Sequence, residues 1–440
     1  VFLKVLKSLL LALFIGMLIL PHVQKHGAIA DEQPLQGVFV RQREPVFSGG
    51  AFFSAGYQDS LSSFIREDAG FRNTLIRINN QINFSVFGWY GEKTILVGKK
   101  NVLYEDYYVD SYAGRDFIGV EEVRRKVLGL KQLQDSLAAH GVHFLFVIEP
   151  SKVWMDPDHL PRHWKVSSPE QSNYLEFTRQ LPGSGIHWID FNKWFLELRD
   201  TCPYPLYPLA GIHWSTFVAQ HYVTDSLFRW MEQVSCRPIQ DYSLTGIEWK
   251  DEPVRPDNEL AETMNLLWKY PYDPMPYGKY TPGDPEGCFF PRVLTVADSY
   301  YWLIYNFDIV KRVFLVNDYW YRMLEFHPAQ KYGRVSAGRD AFFRHDLLDH
   351  DFVMLMATEV NLYTLFGFVE KANFWMTLKE DPSSVSGLRE ERVIHFQGII
   401  SADSSWQADL RKQARTHGIS LERMIRYAAE YMADHEPEKK

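Results

Sequence analysis

Two positions in this chain carry the residue types of nucleophilic catalysis. Ser299 closes the segment Val293-Leu294-Thr295-Val296-Ala297-Asp298-Ser299 and is followed at once by Tyr300-Tyr301-Trp302-Leu303-Ile304-Tyr305-Asn306. The first half alternates and is β-branched, the pattern of a buried strand, while the second half has helical spacing. Ser299 therefore falls at a strand-to-helix turn, where backbone N–H groups at a helix's amino end can stabilise a developing anion. A serine nucleophile needs a base within hydrogen-bond reach and usually a third group that orients the base. The best base is His213, in the run Tyr207-Pro208-Leu209-Ala210-Gly211-Ile212-His213-Trp214-Ser215-Thr216, a turn-rich loop just ahead of a helix. The bland readings are an N-cap serine at 299 and a helix-packing histidine at 213.

The elements that must position these groups read as alternating strands and helices. Val120, Val123, Val127, Leu130, Leu133 and Leu137 recur at helical spacing, and Phe144–Ile148 follows as a buried strand ending in Glu149-Pro150-Ser151-Lys152. Ile186–Ile189 is a short strand ending at Asp190, and Val293–Ala297, Val313–Val316 and Phe352–Met356 read as three more. This order implies an α/β fold with a doubly wound, mostly parallel sheet. Ligands bind beyond the carboxyl ends of strands in such sheets. That rule gathers Lys152, Asp190, Ser299, Asn317, Asp318 and Glu359 along one edge. Residues 237–285, rich in Pro, Tyr and Asp, read as a long irregular insertion, and Ser404 to about His435 as two short helices.

The amino-terminal residues carry an export pattern. Lys4 and Lys7 precede an unbroken apolar run from Leu9 to Leu20 that Pro21 ends, so residues 1–21 are expected to be a signal peptide or an uncleaved anchor. Residues 22–57 follow as a tether, 58–400 as the main domain and 401–440 as a helical tail. The formal net charge of −8 argues against nucleic acid as a partner. Cys202, Cys236 and Cys288 allow one disulfide with a thiol left over, or three buried thiols. No CxxC or HExxH spacing occurs, and His345-Asp346 and His350-Asp351 read as solvated pairs, so neither a metal nor a cofactor is expected.

Five stretches resemble the alginate O-acetyltransferase proteins of the AlgJ/AlgX type, whose domain is a circularly permuted SGNH hydrolase. They are Phe71-Arg72, ILVGKKNVLY from Ile95 to Tyr104, FLFVIEPSK from Phe144 to Lys152, GIHWST from Gly211 to Thr216 and VLTVADSY from Val293 to Tyr300. Thr358-Glu359 with Gly367-Phe368 is a weaker echo. The resemblance implies that Ser299 carries the acyl group and His213 is its base. It also implies a polysaccharide acceptor, a multi-pass membrane acyltransferase as acetyl supplier, and a periplasmic site tethered to the inner membrane.

The chain departs from that family at Gly211, where an aspartate two residues before the histidine is usual. Asp318, Glu359 and Asp190 are candidates for the acid that orients His213. A backbone carbonyl could serve instead, leaving a Ser–His dyad, or the site is inactive. Candidate substrate contacts are Tyr300, Trp302, Tyr319, Trp320 and Lys152. The competing functions are a carbohydrate acetyl esterase using the same residues and a degenerate polysaccharide-binding or assembly subunit.

Overall fold

Strict alternation sorts the strand residues of this chain onto two opposite faces. The computed structural model describes residues 2–37, 43–88, 94–161, 164, 169–332, 339–378, 393, 396–401, 403–417 and 420–435. Its strands are β1 (Ile95–Val97), β2 (Leu103–Glu105), β3 (His143–Glu149), β4 (Trp188–Asp190), β5 (Tyr242–Lys250), β6 (Met275–Pro282), β7 (Arg292–Ala297), β8 (Val316–Tyr321), β9 (Glu325–His327) and β10 (Phe352–Thr358). Six of them form one sheet in the order β4-β3-β10-β7-β8-β9. Its pairings are parallel except β8 with β9.

Leu145, Val147, Val293, Met354 and Met356 point into one core with Phe191, Phe195, Leu227 and Val310. Their neighbours Phe144, Phe146, Ile148, Leu294, Val296, Val353 and Leu355 point into a second core, beneath the helices Val120–Ala138 and Phe368–Thr377. Two covered faces are what a parallel sheet requires, and all seven residues of β10 are buried. The expected doubly wound, mostly parallel architecture is the one observed.

One strand boundary differs from the sequence reading. Val313 closes the helix Asp308–Val313, whose Ile309, Val310 and Val313 are buried at helical spacing. The strand begins at Val316 and runs to Tyr321, so Asn317 and Asp318 lie inside it. The 237–285 segment is also more regular than expected, since β5 and β6 pair antiparallel along most of their length.

Three helices lead into this body: α1 (Phe2–Gly27), α2 (Ala55–Glu67) and α3 (Arg72–Ile82). Helix α1 continues through Pro21 rather than stopping there. Its stretch Lys4–Gly27, with mean hydropathy 2.0, is long and apolar enough to cross a membrane by length and composition. The end of α1 packs on the turn before α3, where Lys25 pairs with Asp68. A Cβ on Gly70 would sit 2.2 Å from the Pro21 carbonyl oxygen.

The residues after α1 are held rather than free. Glu32 accepts from Thr74 N and Oγ1, both at 2.8 Å, and Gln36 N donates to Asn265 Oδ1 at 2.7 Å. Within the expected tether, residues 38–42 lie outside the described residues, as do 379–392 of the expected main domain. The carboxyl-terminal helices Ser404–Thr416 and Leu421–His435 enclose a small core of their own. Arg292, at the start of β7, ties them to the sheet by donating to Glu430 at 3.0 Å.

Candidate active site

Strand β7 delivers Ser299 to the carboxyl edge of the sheet. The preceding residue, Asp298, is fully buried and faces away from solvent. Its Oδ1 accepts from Tyr300 N at 3.1 Å. Its Oδ2 accepts from Thr358 N at 3.1 Å, Thr358 Oγ1 at 2.7 Å and Asn361 Nδ2 at 2.6 Å. These bonds staple the ends of β7 and β10 together. Ser299 opens the short helical turn Ser299–Tyr301 and is partly exposed.

Two reciprocal bonds bring the His213 loop onto this turn. Trp214 Nε1 donates to the Tyr300 carbonyl at 3.3 Å, and Tyr300 Oη donates to the Ile212 carbonyl at 2.8 Å. With the loop so registered, His213 Nε2 lies 2.9 Å from Ser299 Oγ, across 86 positions of sequence. Lys152 fixes the approach to the histidine from behind. Its buried ammonium donates to the carbonyls of Leu103 at 3.0 Å, Leu209 at 3.2 Å, and Gly211. Burial pushes this amine down to about 7.

The acid on His213 is Glu259, which the sequence reading missed. Glu259 Oε1 lies 2.5 Å from His213 Nδ1 and also accepts from Ile212 N at 3.3 Å. It opens the helix Glu259–Thr263, inside the segment read as irregular. Burial works against charge on both groups, yet their mutual attraction prevails: the imidazole is held above its ordinary value and the carboxyl below its own. Gly211 shows why the acid comes from here. A Cβ on Gly211 would lie 2.9 Å from Pro208 Cγ, 2.9 Å from the Pro256 oxygen and 3.0 Å from the Asp257 oxygen. The chain that carries Glu259 occupies the space an aspartate at 211 would need.

None of the three expected acids is the one bonded to this histidine. Asp318 sits mid-strand and pairs with Lys331 and with His350 at 3.1 Å. Glu359 accepts from Ser151 N at 2.9 Å and Asn192 Nδ2 at 2.8 Å, bridging β3 and β10 at their ends. Asp190 caps the helix Phe191–Leu198 through Lys193 N at 3.0 Å and accepts from Tyr174 at 3.1 Å. The expected substrate contacts fare similarly. Tyr300, Tyr319 and Trp320 are fully buried, Lys152 is spent on carbonyls, and Trp302 packs edge-on against Tyr319 and His327.

Asp318, Asp346 and His350 come within 4.8 Å of one another, the spacing of a metal site. The Lys331 ammonium bridges Asp318 and Asp346, so a fixed cation already balances these acids. Asp346 and His350 are buried in this cluster rather than solvated. The three cysteines are free, Cys236 exposed and the other two half-buried.

Ser299, His213 and Glu259 open on a cavity of about 1000 Å³. Arg322 lines it from just past β8, where its N–H donates to the Ala297 carbonyl at 2.8 Å and its backbone holds φ at 50°. Its Nε is buried without a hydrogen-bond partner. Arg72 and Asn80 of α3, together with Gln36, form another part of the wall. A hydroxyl, an imidazole and a carboxylate in one hydrogen-bonded line, beside a cation and a helix amino end, can carry out acyl transfer through an oxyanion.

The fold and this site define an SGNH-hydrolase-like α/β domain. Residues 96–269 match the family described as the SGNH hydrolase-like domain of acetyltransferase AlgX. Over that segment the chain is similar to AlgJ/AlgX-like domains. Among solved structures it is similar to the O-acetyltransferase domain of Pseudomonas putida AlgJ, with 15% identity and a TM-score of 0.41 over 64% of this chain and 100% of that one. It is also similar to Pseudomonas aeruginosa AlgX, with 16% identity and a TM-score of 0.40 over 63% of this chain and 68% of that one. Bacillus cereus PatB1 follows at 14% identity and a TM-score of 0.35, over 57% of this chain and 93% of that one. No curated protein sequence matches the chain.

Proposed function

We propose that the chain is an extracytoplasmic polysaccharide O-acetyltransferase in which Ser299 is the nucleophile, His213 the base and Glu259 the acid that orients it. The observation that carries this reading is the unbroken line Ser299 Oγ–His213 Nε2 and His213 Nδ1–Glu259 Oε1, at 2.9 and 2.5 Å, opening on the cavity. His213 takes the hydroxyl proton as Ser299 Oγ attacks the acetyl carbonyl. The oxyanion forms against the Ser299 N–H, with the Arg322 cation on the same wall. Collapse expels the donor's leaving group, which takes the proton from His213. A sugar hydroxyl then gives its proton to His213 and attacks the acetyl-serine; collapse breaks the bond from Ser299 Oγ to the acetyl carbon, and His213 returns the proton to Ser299 Oγ.

Glu259 keeps the Nδ1 proton in place and stabilises the imidazolium at each step. Helix α1 is proposed to hold the domain at the outer face of the inner membrane, where a multi-pass acyltransferase would supply acetyl groups. The test uses an activated aryl acetate and an oligosaccharide. Intact-mass analysis should find acetyl on the wild-type chain, localised to Ser299, and acetylated sugar should accumulate. Release of acetate with no acetylated sugar would favour an esterase. A Ser299→Ala chain that still carries acetyl would overturn the assignment of the nucleophile.

A further inference from the structure

Helix α3 faces the wrong way for a helix bathed in water. Its polar side chains bind the protein: Asn80 Nδ2 donates to the Met264 carbonyl at 2.8 Å, and Arg77 to the Pro34 carbonyl at 3.0 Å. Gln81 Oε1 accepts from Trp268 N at 2.9 Å, and Asn80 and Gln81 are buried. Most of its apolar residues face out. Leu75, Ile78 and Ile82 recur at helical spacing, and Val86 and Phe87 extend the stripe through the π turn Asn83–Phe87. Ile82 is 48% exposed, Val86 68% and Phe87 64%. Next to Gln81 stand Leu267 and Trp268, also exposed. Contiguous apolar surface of this kind marks an interaction site.

We propose that this face lies in the headgroup region of the bilayer that α1 enters, so that the body is seated on the membrane rather than suspended above it. The proposal rests on reading α1 as membrane-inserted. Continuity argues for lipid. The end of α1 packs on Asp68 and Gly70, and the outward stripe begins at Leu75, so the two apolar surfaces adjoin. Charge does not oppose this: from Arg72 to Phe87 the chain carries no acid that anionic headgroups would repel. Trp268 is the residue type found at membrane–water boundaries. An amphipathic helix lying in the interface plane buries its apolar side to a depth of roughly 5–10 Å.

The consequence for the site is direct. The same helix lends Arg72, Ile76, Asn79 and Asn80 to the wall of the Ser299 cavity. A helix is about 10–12 Å across, so the cavity stands about one helix diameter from the lipid.

The test uses the full chain with Cys202, Cys236 and Cys288 changed to serine and one nitroxide-labelled cysteine in place of Leu13, Ile82 or Leu128. Each protein is reconstituted into vesicles of phosphatidylcholine and phosphatidylglycerol, and collision with oxygen and with a water-soluble nickel chelate is read by power saturation. Expected is an oxygen-to-nickel ratio at Ile82 severalfold above that at Leu128, an exposed residue of the helix Val120–Ala138, and below that at Leu13. An Ile82 label that matches Leu128 while Leu13 is in lipid overturns the seating and leaves the anchor standing. A Leu13 label in water overturns the anchor itself. An Ile82 label shielded from both reagents means that protein, such as a second copy, covers the face, and rejects lipid as the occupant. An Ile82→Asp chain labelled at Val86 should lose the lipid signal at that position and still acetylate Ser299 from a soluble ester.

Discussion

The two halves of the candidate site are built on different principles. Ser299 rides on the end of a buried strand, and the carboxylate before it is held by four donors from its own turn, from the end of β10 and from the turn after β10. His213 rides on a loop and Glu259 on a short helix, both off the sheet, held by a few long-range bonds from Lys152, Tyr300 and the Ile212 backbone. The nucleophile's place thus belongs to the fold, and the base and acid's place belongs to a handful of side chains. Damage on the sheet side should appear as lost stability, and damage on the loop side as lost rate in a protein that stays folded.

The sharpest way to break that contrast is Glu259→Gln. Removing the orienting acid of a triad costs on the order of a thousandfold to ten-thousandfold in kcat, and thermal denaturation at pH 8 should barely move. The pH profile supplies a second readout. His213 must be neutral to take a proton, and it is held above 6.5, so the wild-type rate should rise with pH through a midpoint above that value. In Glu259→Gln the midpoint should fall below it, because burial alone favours the neutral ring.

The pair also links folding to pH. The raised histidine contributes stability below 6.5 that is lost as pH rises through its folded value. The depressed glutamate contributes stability above 4.5 that is lost as pH falls through its own. Their joint contribution should therefore be greatest and level between those two values, and a denaturation series showing no loss of stability above 6.5 or below 4.5 would contradict the ion pair.

Gly211→Asp comes next. Its side chain would collide with Pro208, Pro256 and Asp257. We expect about a hundredfold loss of rate from a displaced Glu259, since small misplacements carry penalties of that order. Activity at or above wild type would mean the loop yields easily. Lys152→Met should lower kcat by about tenfold, the scale of one or two misaligned hydrogen bonds, and leave KM for a small ester unchanged. Asp298→Asn should do the reverse. With donors left facing an amide, chemical denaturation should show a loss of about 1–3 kcal/mol, while the pH midpoint of the rate moves down by less than in Glu259→Gln, because the Asp298 charge is a lesser cause of the raised histidine.

How much of this was legible in the chain follows the same division. The seat of Ser299 could be read because a strand of period two runs into a helical pattern without interruption. Glu259 could not, because no spacing relates it to His213 across 46 positions, and a turn-rich stretch hides the short helix that presents it. Asn317 and Asp318 were placed at the sheet edge by a strand boundary drawn a few residues early. Val313 is β-branched and apolar in either element, and only packing decides that it ends a helix. Leu75, Ile78 and Ile82 also stand at helical spacing in the sequence, but no periodicity says which side of a helix meets protein.

The empty place at position 211 couples it to a distant stretch of chain. Backbone from 256 and 257 fills the room beside it, and the carboxylate that backbone introduces stands on the imidazole. Aspartate at 211 would collide with this path of the chain, and a chain trimmed across 253–259 would lose Glu259 while glycine offers nothing in its place. Moving the carboxylate from one source to the other therefore takes two concerted changes, one at 211 and one in the stretch beside it.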